Sequence, residues 1–336
     1  MKTNNVKLTG LIILLAIIFT ACQENNQLND NELNTLTEPE YFEGLQLVDG
    51  VFQFKDQERF SEFLTAANEN VDFISEFKGA YPNFKSVDDK YNELTDDMKD
   101  ELAINPNAYS NFVKIVEVDG EKYAEPIIED KYIRSILNQE GIVKIGGEFT
   151  KVTYEKIYKS DDLTSFDNGD IQSRNLNGLK VINVERSNSA LNQRMPSEDC
   201  RTDYNRRIRI SRWPRLYRTL NFRFRGRIWS IDAGTFYTGI GANSTHYLKT
   251  AGIWYRDKAP RLSLEYSVTY TQYFQGNPIL TTTESYNSGT KYNTRRIDET
   301  FSFCTGISCS FDIDVATSRH TGYGHINNNW NCNLIF

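Results

Sequence analysis

The stretch Arg207–Trp229, RIRISRWPRLYRTLNFRFRGRIW, places eight arginines among regularly spaced Ile, Phe, Leu and Trp. Its period is two, the spacing at which alternate side chains of a strand share one face. In Arg207-Ile208-Arg209-Ile210 the arginines fall on one face and the isoleucines on the other. From Leu220 to Ile228 the rule continues: Leu220, Phe222, Phe224 and Ile228 are expected to point inward, and Arg223, Arg225 and Arg227 outward. Pro214 lies between the two runs, where a turn or a strand edge tolerates it. If the strands pair, Arg207, Arg209, Arg223, Arg225 and Arg227 form one basic sheet face.

Charges at alternate strand positions lie about 7 Å apart and repel by roughly 0.6 kcal/mol in water. Salt weakens this further, since the Debye length is about 8 Å at physiological ionic strength. The face is therefore tolerable without a ligand, either solvated or covered by acidic chain from elsewhere. The stretch contains no lysine, and the planar arginine fork suits phosphate, sulfate and uronate groups. An anionic glycan or lipopolysaccharide is thus a candidate partner for the five arginines. Nucleic acid is not expected, because the aromatic residues that would stack on bases alternate to the opposite face.

Beyond this stretch, charge divides the chain unevenly. Residues 200–336 carry 18 Lys and Arg against 9 Asp and Glu, whereas residues 1–199 carry 20 against 36, for a net charge of −7. The two halves should attract. The basic half reads as β: Leu262, Leu264, Tyr266, Val268 and Tyr270 alternate with polar residues, and Gly276-Asn277-Pro278 turns the chain back. Cys200, Cys304, Cys309 and Cys332 all lie in it, an even number that favours disulfides in an exported chain. Cys304 and Cys309 flank a four-residue turn and can face each other across a hairpin, which leaves Cys200 for Cys332. The spacing lacks paired C-x-x-C elements, so a metal site is not expected.

The acidic half reads as helical with a small hairpin. Phe60, Phe63, Leu64 and Ala67 form one helical face, and Val87, Tyr91, Leu94, Met98 and Leu102 a second, started by the cap Ser86-Val87-Asp88-Asp89. A third helix is expected over Asp130 to Asn138. Gly146-Gly147 then permits a two-residue hairpin turn. Residues 159–198 are polar and turn-rich, with one marginal strand at Leu179 to Val184.

The chain begins MKTNNVKLTGLIILLAIIFTAC. Lys2 and Lys7 precede 14 almost wholly apolar residues, Leu8 to Ala21, too short for a permanent span of roughly 20 but suited to a signal peptide. Phe19-Thr20-Ala21-Cys22 resembles a bacterial lipobox, with Phe where Leu is usual; the likeness implies acylation of Cys22 and a membrane anchor. The following CQENN resembles signals that send lipoproteins of Bacteroidetes-type bacteria to the outer face of the outer membrane.

The expected class is α+β, with a helical N-terminal region and small β-hairpin followed by an antiparallel β-sandwich or jelly-roll-like domain. The expected parts are a signal peptide (1–21), a disordered tether (22–45), a helical α+β domain (46–158), a linker (159–198) and an all-β basic domain (199–336).

Catalytic signals are sparse. There is no G-x-S-x-G elbow, P-loop or H-E-x-x-H. His320 and His325 flank two glycines and match no metal spacing, so no catalytic residue, metal or cofactor is assigned. A non-enzymatic binding or adhesion module is the leading expectation. The alternatives are a surface hydrolase of glycans or peptides and a structural envelope-assembly protein, the last requiring the arginines to be buried against the acidic half.

Two segments carry a family likeness. SILNQEGIVKIGGEFTKVTYEKIYK (135–159) contains N-x-x-G-x-V-x-I-G, and RFRGRIWSIDAGTFYTGIGANSTHYLKTAGIWYRDKAPRLSL (223–264) alternates Gly, aromatic and basic residues. Both resemble segments of uncharacterised Bacteroidetes-type outer-membrane lipoproteins. The resemblance implies a lipid-anchored, envelope-facing protein and transfers no site residues.

Overall fold

Three β-sheets dominate the described residues, of which 57% are strand and 18% helix. The computed structural model describes residues 42–70, 72–166, 179–186, 199–211, 215–325 and 329–335. The expected signal peptide, Cys22 and most of the expected tether fall outside these residues. The tether's C-terminal end does not: Phe42 and Leu45 are buried in the main core, so the folded body has already begun there.

From the N-terminus, the hairpin β1 (Gln46–Val48) and β2 (Val51–Phe54) precedes α1 (Gln57–Glu69). Asp56 caps α1 by accepting from the Arg59 N–H at 2.8 Å, and Phe60, Phe63, Leu64 and Ala67 form its buried stripe. Helix α2 (Phe73–Ala80) had no clear sequence signal. The single helix expected from Ser86 onward is two, α3 (Val87–Asn92) and α4 (Asp96–Ile104). Ser86 and Asp89 make the capping box of α3, but Thr95 accepts from the Met98 N–H at 3.3 Å and restarts the chain as a second cap. Strands β3 (Val113–Val118) and β4 (Glu121–Pro126) form a hairpin, followed by α5 (Lys131–Ile136). Strands β5 (Ile142–Ile145) and β6 (Glu148–Val152) flank Gly146-Gly147, both at positive φ as the turn requires. Strands β7 (Lys156–Ser160) and β8 (Lys180–Asn183) complete a first sheet of order β1-β2-β5-β6-β7-β8.

Next come β9 (Glu185–Arg186), β10 (Asp199–Ser211), β11 (Leu216–Asp232), β12 (Thr238–Thr250) and β13 (Ile253–Arg256). They are followed by β14 (Ala259–Phe274), β15 (Asn277–Asn287), β16 (Lys291–Thr294), β17 (Arg296–Cys304), β18 (Cys309–Tyr323) and β19 (Asn329–Ile335). The second sheet runs β10-β11-β12-β13-β4-β3, with β17 also on β12 and β9 on β11. The third runs β15-β14-β18-β19, with β16 on β14. The expected alternation of β14 holds: Leu262, Leu264, Tyr266, Val268 and Tyr270 are all buried against the second sheet's Phe224, Ile240 and Ala242.

The expected division at 159–198 is not a domain boundary. Strand β4 pairs in parallel with β13, and β9 inside the supposed linker pairs with β11. The main core likewise joins Phe42, Phe60 and Phe73 to Trp229, Phe236 and Tyr255, with Phe60 and Phe236 stacked at 5.7 Å. Residues 41–336 form one unit. The physical reason is that β3–β4 has its own hydrogen-bonding edge, and β13 supplies its partner. Among the described residues no helix is long and apolar enough to cross a membrane.

Candidate functional site

Strands β10 and β11 pair as expected, from Asp199 opposite Arg227 to Ser211 opposite Leu216. All five candidate arginines share one face, but that face meets two environments. Strand β12 pairs with β11 only from Phe222 to Asp232. Along that inner half the sheet is broad, and the β3–β4 hairpin lies against the arginine side.

The inner arginines do not point to solvent, which corrects the expectation for Arg223, Arg225 and Arg227. Arg223 makes a fork to Asp203 at 2.5 and 2.7 Å, donates to the Tyr123 hydroxyl, and lies 4.2 Å over the Trp254 ring. Arg225 meets Glu125 at 3.2 Å and lies 4.5 Å over the Tyr123 ring. Arg227 lies 3.8 Å from Glu125 and 3.6 Å from Glu129. Arg186, from the supposed linker, closes on Glu129 at 3.1 Å, while Lys249 and the Trp254 indole both donate to Glu121. On β4, Glu121, Tyr123 and Glu125 occupy one face, so alternation aims two carboxylates and a ring at the arginine row. Burial alone would raise the Glu125 carboxyl, but Arg227, Arg225, Arg296 and Arg256 outweigh it and hold it below the usual range. The sequence signal for this is EKYAEPIIED, whose glutamates recur every fourth residue opposite a strand of arginines. These charges serve the fold, because a buried guanidinium is tolerable only when paired and hydrogen-bonded.

The outer half is different. From Asn205–Asn221 to Ser211–Leu216 the hairpin runs beyond β12 as a two-stranded arm. Six residue steps at about 3.4 Å give it a length near 20 Å. Arg207 and Arg209 are exposed, as are Arg215 and Arg218, beside Ile210 (58% exposed), Leu216 and Tyr217. Arg207 stacks 4.4 Å over the Tyr217 ring. No Asp or Glu occurs between Asp203 and Asp232. Pro214 lies outside the described residues.

Cys200 is bonded to Cys332 and Cys304 to Cys309. The first bond fastens β10, an edge of the second sheet, to β19, an edge of the third. The glycines nearby allow those sheets to approach: a Cβ on Gly226 would meet the His320 ring, and one on Gly322 the Phe224 ring. His320 is buried between Ser244 and Ser318, each hydroxyl 2.8 Å from a ring nitrogen. His246 is buried between the Asp257 carbonyl and the Tyr204 hydroxyl. A carbonyl only accepts, so Nδ1 of His246 carries its proton and Nε2 accepts from Tyr204. Burial pushes both imidazoles down to about 4. His325 packs on Phe222 and His246. Among the described residues no group of three or more His, Cys, Asp or Glu is placed to hold a metal ion.

Neither the known protein-family models nor the curated proteins contain a match to this chain.

Proposed function

We propose that this is a lipid-anchored, non-enzymatic binding or adhesion module of the bacterial cell envelope, related to the Bacteroidetes-type lipoproteins its sequence resembles. Acylated Cys22 holds it on the outer membrane, and the exposed arm engages an anionic glycan or lipopolysaccharide. The observation that supports this reading is the arm itself. Four described, exposed arginines and an exposed tyrosine project on a two-stranded ribbon, within a stretch free of carboxylates. Arginine forks match the sulfate, phosphate and uronate groups of such polymers, and a single-sign surface also speeds encounter. The inner three arginines are spent on internal carboxylates and are not part of this surface.

The test is retention on heparin and lipopolysaccharide resins. Changing Arg207, Arg209 and Arg218 to Gln should move elution to clearly lower salt. An unchanged elution salt from a folded variant removes the arm from the proposal. For the anchor, Cys22→Ala should abolish palmitate incorporation and release the protein from membranes, and continued membrane recovery would refute it.

A further inference from the structure

An open cavity of about 340 Å³ lies between α3, α5, the end of β13 and the start of β17, away from the arm. Its wall is built from residues far apart in the chain: Asp88, Arg134, Arg256, Arg296 and Asp298, with Lys258 and Arg295 at the mouth. The side chains of Arg134, Arg256 and Arg296 are each at least 96% buried.

Three guanidinium groups share two wall carboxylates, and the sharing is uneven. Arg134 takes the best geometry, 2.8 Å to Asp88 and 2.8 Å to Asp298, and spends its remaining nitrogen on the carbonyls of Ile128 and Glu129. Arg256 approaches Asp88 only to 3.9 Å and rests 4.6 Å over the Tyr91 ring. Among the described residues its Nε and Nη2 have no acceptor. Arg296 donates through Nε to Asp298 and stands 3.8 Å from Glu125, and among the described residues its Nη2 also has no acceptor. Buried N–H groups left unmade cost about 1–3 kcal/mol each, and more on a charged group. Native interiors rarely carry such groups without a reason. Burial first, with Arg256 and Arg134 adding repulsion, pushes Arg296 down to about 10.

We propose that this cavity is a binding site for a phosphate-class oxyanion, carried on a small organic molecule as a phosphate or sulfate ester. One tetrahedral group in the cavity, against the Arg256 and Arg296 side chains, supplies negative charge to a wall whose five named cations face only two carboxylates. Lys258 and Arg295 at the mouth draw it in. The cavity is at the lower end of the roughly 300–1,000 Å³ range of small-molecule pockets, so it has room for a sugar-sized body beyond the anion.

Isothermal titration calorimetry on the full chain decides this, with inorganic phosphate, glucose 6-phosphate, glucose 6-sulfate and neutral glucose as probes. One site per chain is expected for the charged probes and none for glucose. An Arg256→Gln variant should weaken binding about tenfold or more, the value of one charge-assisted hydrogen bond. Because that variant removes a buried group, Lys258→Gln with Arg295→Gln provides a rim variant, checked for folding by circular dichroism and expected to weaken binding in the same direction. Lys180→Gln, an exposed cation on β8 outside both the cavity and the arm, should leave it unchanged. Absence of binding at millimolar phosphate, or binding indifferent to both pocket variants, overturns the site. Sugar esters binding no tighter than inorganic phosphate overturn the ester and leave a free-anion site.

Discussion

The two halves of the β10–β11 hairpin carry the same alternation of arginine and apolar residues, yet one half is interior and the other projects. Arg225 lies against Glu125 at 3.2 Å, whereas Arg207, on the same face but six residues along the hairpin, lies open to solvent on Tyr217. Local sequence does not distinguish them. What does is the neighbourhood: β12 and the β3–β4 hairpin reach the inner half and stop short of the outer. A charged row is thus a structural bond where carboxylates cover it and an exposed face where they do not.

The comparison can be broken most severely at its base. A Cys200→Ser, Cys332→Ser double variant frees the inner half from the third sheet, and the chain-entropy of so long a loop sets the expected loss at about 4–5 kcal/mol. Urea denaturation should show it, and a loss below about 1 kcal/mol would mean that packing alone holds the two sheets' edges together. Glu125→Gln should cost about 3–5 kcal/mol, because Arg225, Arg227 and Arg296 lose a shared counter-charge inside the protein. A small loss would show that the inner arginines are better solvated than their burial implies.

Acid should act on the inner half through its histidines. His246 and His320 titrate near 4 in the folded protein against about 6.5 when unfolded, so the unfolded chain takes up protons first. The stability they confer is complete above pH 6.5 and lost as pH falls towards 4, by about 3 kcal/mol each. Carboxylates held low, Glu125 and Asp298 among them, add their own loss as pH falls through the ordinary carboxylate range and below it. A His246→Gln, His320→Gln double variant should therefore show a flatter decline between pH 6.5 and 4; an unaltered slope would place the titration elsewhere. Smallest of all, Arg207→Gln with Arg209→Gln should change stability by no more than about 0.5 kcal/mol, as for other exposed substitutions. A larger loss would mean that the arm is part of the packed body.

Much of this architecture was legible where the signal is local. The stripe Phe60, Phe63, Leu64 and Ala67, the Ser86–Asp89 cap, the Gly146-Gly147 turn, the alternation of β14 and the pairing of the four cysteines each depend on residues whose spacing itself states the geometry. The split between α3 and α4 was written in Thr95, whose capping tendency interrupts an unbroken apolar stripe. The candidate site was less legible, because alternation says which side chains share a face and not what covers it. Covering Arg223 and Arg225 needed β4, about 100 residues earlier. The oxyanion cavity draws on segments near residues 88, 134, 256 and 296, and no motif spans them.

Asp130 has a consequence for how the chain reaches this state. One of its oxygens caps α5, and the other accepts from the hydroxyls of Tyr237 and Thr300. Those partners are made 107 and 170 residues later. The N-terminal segment therefore completes its contacts only once residues as far as Thr300 are available, and until then β4 lacks β13 and its glutamates lack their cations. Such high contact order slows assembly and lengthens the interval in which a nascent chain depends on chaperones.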